Sequence, residues 1–376
     1  MSPTFRRKRV AIVSTAQTAW RSAWSDAQHI DLISSVVQRA LKGRGLQIKD
    51  VDFVIDSGSD VLDGRSISNC GFLGAMGAHH KEESRVEDDG LWAALYGVTK
   101  IASGAADIGL IIAYSKPSES DVSKFYSTMA DPFCQRPVGL DEVTASGLLA
   151  QQYLHRHGIS EEDLAEVAAS AWHMARSNPK LELDAVPGQA EVLASKMVAS
   201  PLRQLMMARP VDGAVAIILA SEEFARRITP SPVWVSGMGC AMDGNVFAMR
   251  EPGYTTCASA AKVAYKRAGI DPRQVGLAEV SATSVVAELL TLEALGFAAP
   301  GRAIDLYRGA PGPAINRSGG ALPANPIMAT GLVRLAEAAE QLWSQRSEAK
   351  PAANNAVVHA ASGIGGQSHC VFVVEV

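Results

Sequence analysis

One stretch of this chain is written twice. Residues 40–54, ALKGRGLQIKDVDFV, line up with residues 264–278, AYKRAGIDPRQVGLA, so that Ala40, Lys42, Gly45 and Val51 fall on Ala264, Lys266, Gly269 and Val275. A second echo follows in the same order. Gly90-Leu91 and Gly331-Leu332 each open an apolar helix, and each helix precedes an apolar strand, GLIIAYS and then AVVHAAS. Repeats of 20–50 residues would indicate a solenoid; a repeat this long indicates two copies of one larger unit. A fold that accepts this sequence must therefore bury two similar units against each other.

Local patterns say what each unit contains. A strand is expected over 9–14, a helix over 31–42 stopped by Gly43 and Gly45, and a buried strand over 52–55. A helix over 90–102 and a strand over 108–113 follow, and a second opening strand is expected over 232–237. Strands that are apolar throughout, alternating with helices, predict an α/β fold whose sheets are covered on both faces. Residues 116–200 read as an excursion from the first unit, with a Pro/Phe loop and a helix over 142–157. The chain then returns through the Asp212-Gly213 turn to a strand over 214–219.

Composition narrows the class. A net charge of -4 over 376 residues gives no electrostatic footprint for nucleic acid, and Arg6-Arg7-Lys8-Arg9 reads as a solvated tail. No apolar run approaches the roughly 20 residues of a membrane span, and no secretory signal pattern opens the chain. The five cysteines, Cys70, Cys134, Cys240, Cys257 and Cys370, are scattered without a C-x-x-C pair. They predict a reducing, cytoplasmic setting, no disulfide framework and no metal site. Adjacent His79 and His80 read as a loop pair, and His155 and His157 as helix-end cations. His359 and His369 read as core histidines.

Five segments in order resemble the signature blocks of thiolases: VEDDGLWAALYGVTKIASGAADIGLIIA (86–113), SPLRQLMMARPVDGAVAIILASEE (200–223), EVSATSVVAELLTLEALGF (279–297), NRSGGALPANPIMATG (316–331) and SGIGGQSHCVFVVE (362–375). The similarity is to the branch containing sterol-carrier-protein-linked thiolases and archaeal acetyl-CoA acetyltransferases, and it spans nearly the whole chain. It implies the thiolase fold: two duplicated βαβαβαββ halves, 1–230 and 231–376, in a five-layered αβαβα arrangement. It also implies a dimer and a coenzyme A thioester as ligand, with no tightly bound cofactor. Asn316, Gly319, Gly320 and Gly363 would bring backbone close to the thioester and pantetheine.

A thiolase uses a cysteine at a helix N-terminus as acyl acceptor, a histidine to activate it, a second cysteine to move the α-proton, and an oxyanion hole for the enolate. Each of these positions departs here. Matching Gly90 to the glycine of CASG places Glu87 at the nucleophile, with Asp88 and Asp89 beside it. The His-Asp-Ala-Phe block reads Ser281-Ala282-Thr283-Ser284. The GHP histidine falls on Asn325, the glycine expected three residues later is Met328, and the C-terminal cysteine falls on Ser362. Asp88 and Asp89 also suit a simple helix cap.

The resemblance then implies a catalytically degenerate, acyl-CoA-binding subunit, a pseudoenzyme within a complex that forms or cleaves a C–C bond beside a CoA thioester in lipid metabolism. Its partner would be a second copy, an active thiolase-like chain, or a small OB-fold zinc-ribbon protein. Two alternatives stand beside it. One is a retro-aldolase that uses a carboxylate base. Aldolases of this fold carry tyrosines near the second motif and the C-terminal loop, and neither motif has one here. The other is an active acetyltransferase, if Glu87 is misaligned.

Overall fold

The strands pair in an order that repeats. The first half comprises β1 (Val10–Gln17), α1 (His29–Lys42), β2 (Phe53–Ser57), β3 (Glu82–Val86), α2 (Gly90–Ala102) and β4 (Ile108–Ser115). An excursion follows, carrying α3 (Val122–Met129), α4 (Glu142–His157) and α5 (Glu161–Ala175), before β5 (Gly213–Ser221) closes the unit. The second half comprises β6 (Val233–Met242), α6 (Thr255–Ala268), β7 (Leu277–Val280), α7 (Val285–Ala294), β8 (Ala314–Ile315), α8 (Thr330–Gln345), β9 (Asn355–Ser362) and β10 (Ser368–Glu375). The computed structural model describes residues 8–346 and 353–376; Arg6 and Arg7 of the basic run lie outside the described residues.

Within the first half, β1–β5 and β5–β4 pair antiparallel, and β4–β2 and β2–β3 parallel. In the second half, β6–β10 and β10–β9 pair antiparallel, and β9–β7 and β7–β8 parallel. The two five-stranded sheets meet edge to edge where Ala11 pairs with Trp234 and Ile12 with Val233. Among the described residues they thus form one ten-stranded sheet, β8-β7-β9-β10-β6-β1-β5-β4-β2-β3.

Side-chain alternation builds the layers. Along β5, Val215, Ile217 and Leu219 face a central core, while Ala214, Ala216, Ile218 and Ala220 face an outer core covered by α1. β10 does the same: Cys370, Phe372 and Val374 point to the central core, and Val371 and Val373 to a second outer core covered by α6 and α7. The central core is filled by α2 and α8. The layers are therefore αβαβα, as the resemblance implied. Helix α1 forms because its apolar residues recur at helical spacing, burying Leu32, Ile33, Val36, Val37, Ala40 and Leu41 on one face.

α2 and α8 cross closely at their N-termini. A Cβ on Gly90 would lie 2.7 Å from Leu332 Cβ and 2.9 Å from Ala113 Cβ. A Cβ on Gly331 would lie 2.5 Å from Ala360 Cβ. Each glycine thus sits over an alanine of its own half's strand, β4 or β9, and the pairing of Gly90 with Gly331 read from the sequence marks the helix crossing. The expected elements form with small shifts: β1 runs three residues beyond its expected end, while α2 and α4 begin and end where expected. His79 and His80 lie in a turn, His80 with φ +58.

Candidate active site

The N-termini of α2 and α8 open into a cavity of about 60 Å³. Its lining brings four separate chain segments together: Asp89 before α2, Ser281 after β7, Asn325 before α8, and Ser362 with Gly363 at the end of β9. The excursion closes the cavity with Tyr126 and Met129 from α3 and Glu142 from the first turn of α4. No cysteine lines it among the described residues; Cys70, Cys134 and Cys240 are exposed, and Cys257 and Cys370 are buried outside its lining, Cys370 within electrostatic range of Asp88 and Asp89.

Asp89 joins the two halves. It is the N-cap of α2, where its Oδ1 accepts from Leu91 N at 2.9 Å, and its Oδ2 accepts from Gly331 N of α8, also at 2.9 Å. In return, Gly90 N donates to the Met328 carbonyl at 2.7 Å. Burial disfavours the charged carboxylate more than these donors favour it, and the Asp89 carboxyl is pushed up to about 7. Asp88 is also raised by burial; the Ser362 hydroxyl and the Asp89 N–H oppose the rise.

Glu142 is a clamp. Its carboxylate accepts from Thr283 Oγ1 at 2.5 Å, from Ser146 Oγ at 3.3 Å and from Gly365 N at 2.7 Å, tying α4 to the loops after β7 and β9. Burial raises its pKa as well. Asn325 is oriented by Thr330, whose Oγ1 donates to Asn325 Oδ1 at 2.5 Å. That bond leaves the Asn325 amide N–H₂ to donate to the Tyr126 phenol. Burial holds the Tyr126 and Tyr254 phenols well above their usual range, so both are proton donors at neutral pH. Tyr254 lines the cavity beside Gly366, where a Cβ would lie 3.0 Å from the Tyr254 hydroxyl. The site is thus a small chamber lined by carboxylate, amide, hydroxyl and phenol groups.

A family model described as "Thiolase C-terminal domain-like" matches residues 240–375. An acetyl-CoA acetyltransferase of Methanothermobacter thermautotrophicus is 27% identical over 95% of this chain and 96% of its own length. A 17-hydroxy-3-oxo-4-pregnene-20-carboxyl-CoA lyase of Mycobacterium tuberculosis is 26% identical over 78% of this chain and 80% of its own. The solved Ltp2-ChsH2(DUF35) aldolase superposes with a TM-score of 0.82, covering 98% of each chain at 22% identity. These findings support the thiolase superfamily.

The site departs from the sequence reading at several positions. Glu87 does not line the cavity. It follows directly on β3, is exposed, and its carboxylate accepts from Asp60 N at 2.8 Å and pairs with Arg85 Nε at 3.0 Å. Arg85 also holds Asp56, Asp60 and Asp63, and this network draws Glu87 away from the helix start. The carboxylate that lines the cavity is Asp89, two residues later. Ser281, Asn325 and Ser362 do line the cavity; Ser284 caps α7 instead.

Of the residues expected to shape a thioester site, only Gly363 lines the cavity. Asn316 accepts from Val280 N at 2.8 Å, Gly319 packs on Ala175, and Gly320 packs on Asn316; they form a buried turn. Met328 stands where a thiolase carries glycine and takes φ +72, a left-handed conformation that costs a non-glycine residue about 1–2 kcal/mol. Sequence reasoning missed Tyr126, Tyr254 and Glu142. All three lie outside the five motifs, on segments that only the tertiary fold carries to the site. The one signal for Glu142 was the helix start at 142.

Proposed function

We propose that this thiolase-fold protein is an acyl-CoA lyase of the retro-aldol type, cleaving the bond between Cα and Cβ of a 3-hydroxyacyl-CoA thioester without an acyl-enzyme. The observation that carries this reading is the cavity at the α2–α8 crossing, lined by a carboxylate poised near neutrality and by phenol and amide donors, with no thiol. In the proposed step Asp89 takes the proton of the 3-hydroxyl. The O–H electron pair forms the new C=O bond, the Cα–Cβ bond breaks, and its electron pair moves into the thioester as an enolate. Tyr126, fixed by Asn325 and Thr330, and Tyr254 are the donors suited to hold that oxyanion, and the proton returned to Cα completes a shortened acyl-CoA. The products are a carbonyl compound and the shorter thioester, and no co-reactant is needed.

The two phenols bear on the choice between lyase and inert subunit. Tyrosines absent from the expected motifs are supplied by α3 and by the residue before α6. The lyase and aldolase among the compared proteins support the same reading. The aldolase assembly pairs its thiolase-fold chain with a DUF35 protein, and we extend that arrangement to this chain: a small OB-fold zinc-ribbon partner would complete the working complex.

The test is product analysis with 3-hydroxyacyl-CoA substrates of graded bulk, given to the purified chain alone, with its OB-fold partner, and with any thiolase-like chain that co-purifies. The lyase reading expects aldehyde or ketone plus shortened acyl-CoA in the first or second arm, lost in Asp89→Asn. Product that appears only with a cysteine-bearing thiolase chain, and is unchanged by Asp89→Asn, would establish the inert-subunit reading instead.

A further inference from the structure

A second cluster of reactive side chains lies behind the cavity, where α6 packs on the sheet. His359 on β9 and His369 on β10 occupy diagonal positions of an antiparallel pair, since His359 pairs with Val371 and Ala361 with His369. Their side chains therefore project from the same face, and Cys257, in the first turn of α6, lies above them. All three residues are 0% exposed. One donor atom from each, a ring nitrogen from either histidine and Cys257 Sγ, lies within 4.8 Å of the others. Donors bonded to one zinc, at about 2.0–2.1 Å for nitrogen and about 2.3 Å for sulfur, stand roughly 3.3–3.8 Å apart, so small side-chain adjustments close the set.

The hydrogen bonding of the two rings is incomplete. His359 Nε2 faces His369 Nδ1 at 2.9 Å. His359 Nδ1 and His369 Nε2 have no partner at hydrogen-bond geometry, although the Ser281 and Gly366 carbonyls lie beside the rings. Two neutral imidazoles share two protons among four nitrogens. A direct N–H···N bond uses one of them, so the pair cannot also serve both carbonyls. A third proton would satisfy every group, but burial opposes that charge. A metal ion taking the two inner lone pairs leaves both outer N–H groups free for the carbonyls, the arrangement by which backbone orients metal-bound histidines.

We infer that Cys257, His359 and His369 form a binding site for a d¹⁰ metal ion, copper(I) or zinc(II), that fastens the start of α6 to β9 and β10. Binding exchanges the Cys257 thiol proton for the metal. A thiolate with two neutral imidazoles makes an uncharged complex with copper(I), which suits a buried three-donor set; zinc(II) would recruit a fourth donor. The site bears on the cavity through Tyr254, whose ring centroid lies 4.8 Å from that of His369. Spacing rules miss this cluster because the cysteine lies a hundred residues before the histidines, and the histidines face each other only through strand pairing.

Metal uptake by the intact protein is the test. Chelator-treated protein is equilibrated with zinc(II), or with copper(I) under a reductant, and freed of excess metal. One retained equivalent per chain is expected, with a raised melting temperature. Cobalt(II)-loaded protein is expected to show a thiolate-to-cobalt charge-transfer band that Cys257→Ser removes and His369→Gln weakens. Retention of copper(I) alone or of zinc(II) alone identifies the ion and supports the site. Uptake of both metals far below one equivalent by the wild-type protein would overturn it, as would a cobalt spectrum without a thiolate band. The wild-type measurements decide the question even if the substituted proteins fail to fold.

Discussion

The two central helices have the same place in their respective halves and are capped in opposite ways. α2 begins with an ordinary side-chain cap, Asp89 on Leu91 N. α8 begins at Ala329, which offers no side-chain cap, and its Gly331 N–H is satisfied by that same Asp89 from the other half. The duplicated unit has thus divided its labour, because one half holds a carboxylate that serves two helix N-termini and faces the cavity. Both helix dipoles favour the ionised form of Asp89 while burial opposes it. The balance leaves a carboxyl that titrates near neutrality, a suitable pKa for a general base.

Removing that shared carboxylate is the most direct way to break the comparison. Asp89→Asn is expected to lower kcat/KM by about 10³-fold in a lyase assay, within the usual range for a lost general base. Asp89→Ala is expected to lose activity and also to destabilise the fold by roughly 2–4 kcal/mol in urea unfolding, because two helix caps are lost together. A loss no larger than one cap would mean that α8 does not depend on its neighbour. Tyr126→Phe tests the donor side of the chamber. It should lower kcat by about 10²-fold with little change in KM, whereas a purely structural role would lower the melting temperature and leave the activity of the folded fraction intact.

The pH dependence sharpens the same contrast. The folded carboxyl at about 7 lies above its ordinary 3.8, so the folded state holds a proton that the unfolded state has released between those values. The stability contributed by this group is complete below about 4 and is lost as pH rises through 7, on the order of 4 kcal/mol in all. Asp89→Asn should therefore gain stability relative to the wild type between pH 5.5 and 8.5, while wild-type turnover rises through about pH 7. A constant stability difference across that range would place the Asp89 pKa elsewhere. Met328→Gly should stabilise the loop before α8 by about 1 kcal/mol, by relieving the left-handed strain at φ +72. Glu87→Gln should change activity and stability least, within about 0.5 kcal/mol, because Glu87 is exposed and faces Arg85 rather than the cavity.

The fold was legible because it is written in repeats and apolar runs. α2 could be bounded to the residue, since Asp89 supplies a cap and Gly90 a close contact, and the strand runs are buried on both faces. Of the four motif positions, Ser281, Asn325 and Ser362 line the cavity. The fourth, Glu87, does not, because counting along a motif cannot see Arg85, whose guanidinium captures the first carboxylate of the run and leaves the third to face the chamber. The places of Tyr126, Tyr254 and Glu142 at the cavity, and the meeting of Cys257 with His359 and His369, were not legible. Each reaches its place through packing between distant segments, and no local spacing encodes that.

The central claim is that a carboxylate now stands where a thiol is expected to act. It is tested most directly by the turnover of one 3-hydroxyacyl-CoA before and after complete alkylation of accessible thiols, in the wild-type protein and in Asp89→Asn. Alkylation is expected to leave wild-type turnover unchanged, and Asp89→Asn to lower it by about 10³-fold. Turnover that is lost on alkylation and survives in Asp89→Asn would contradict it.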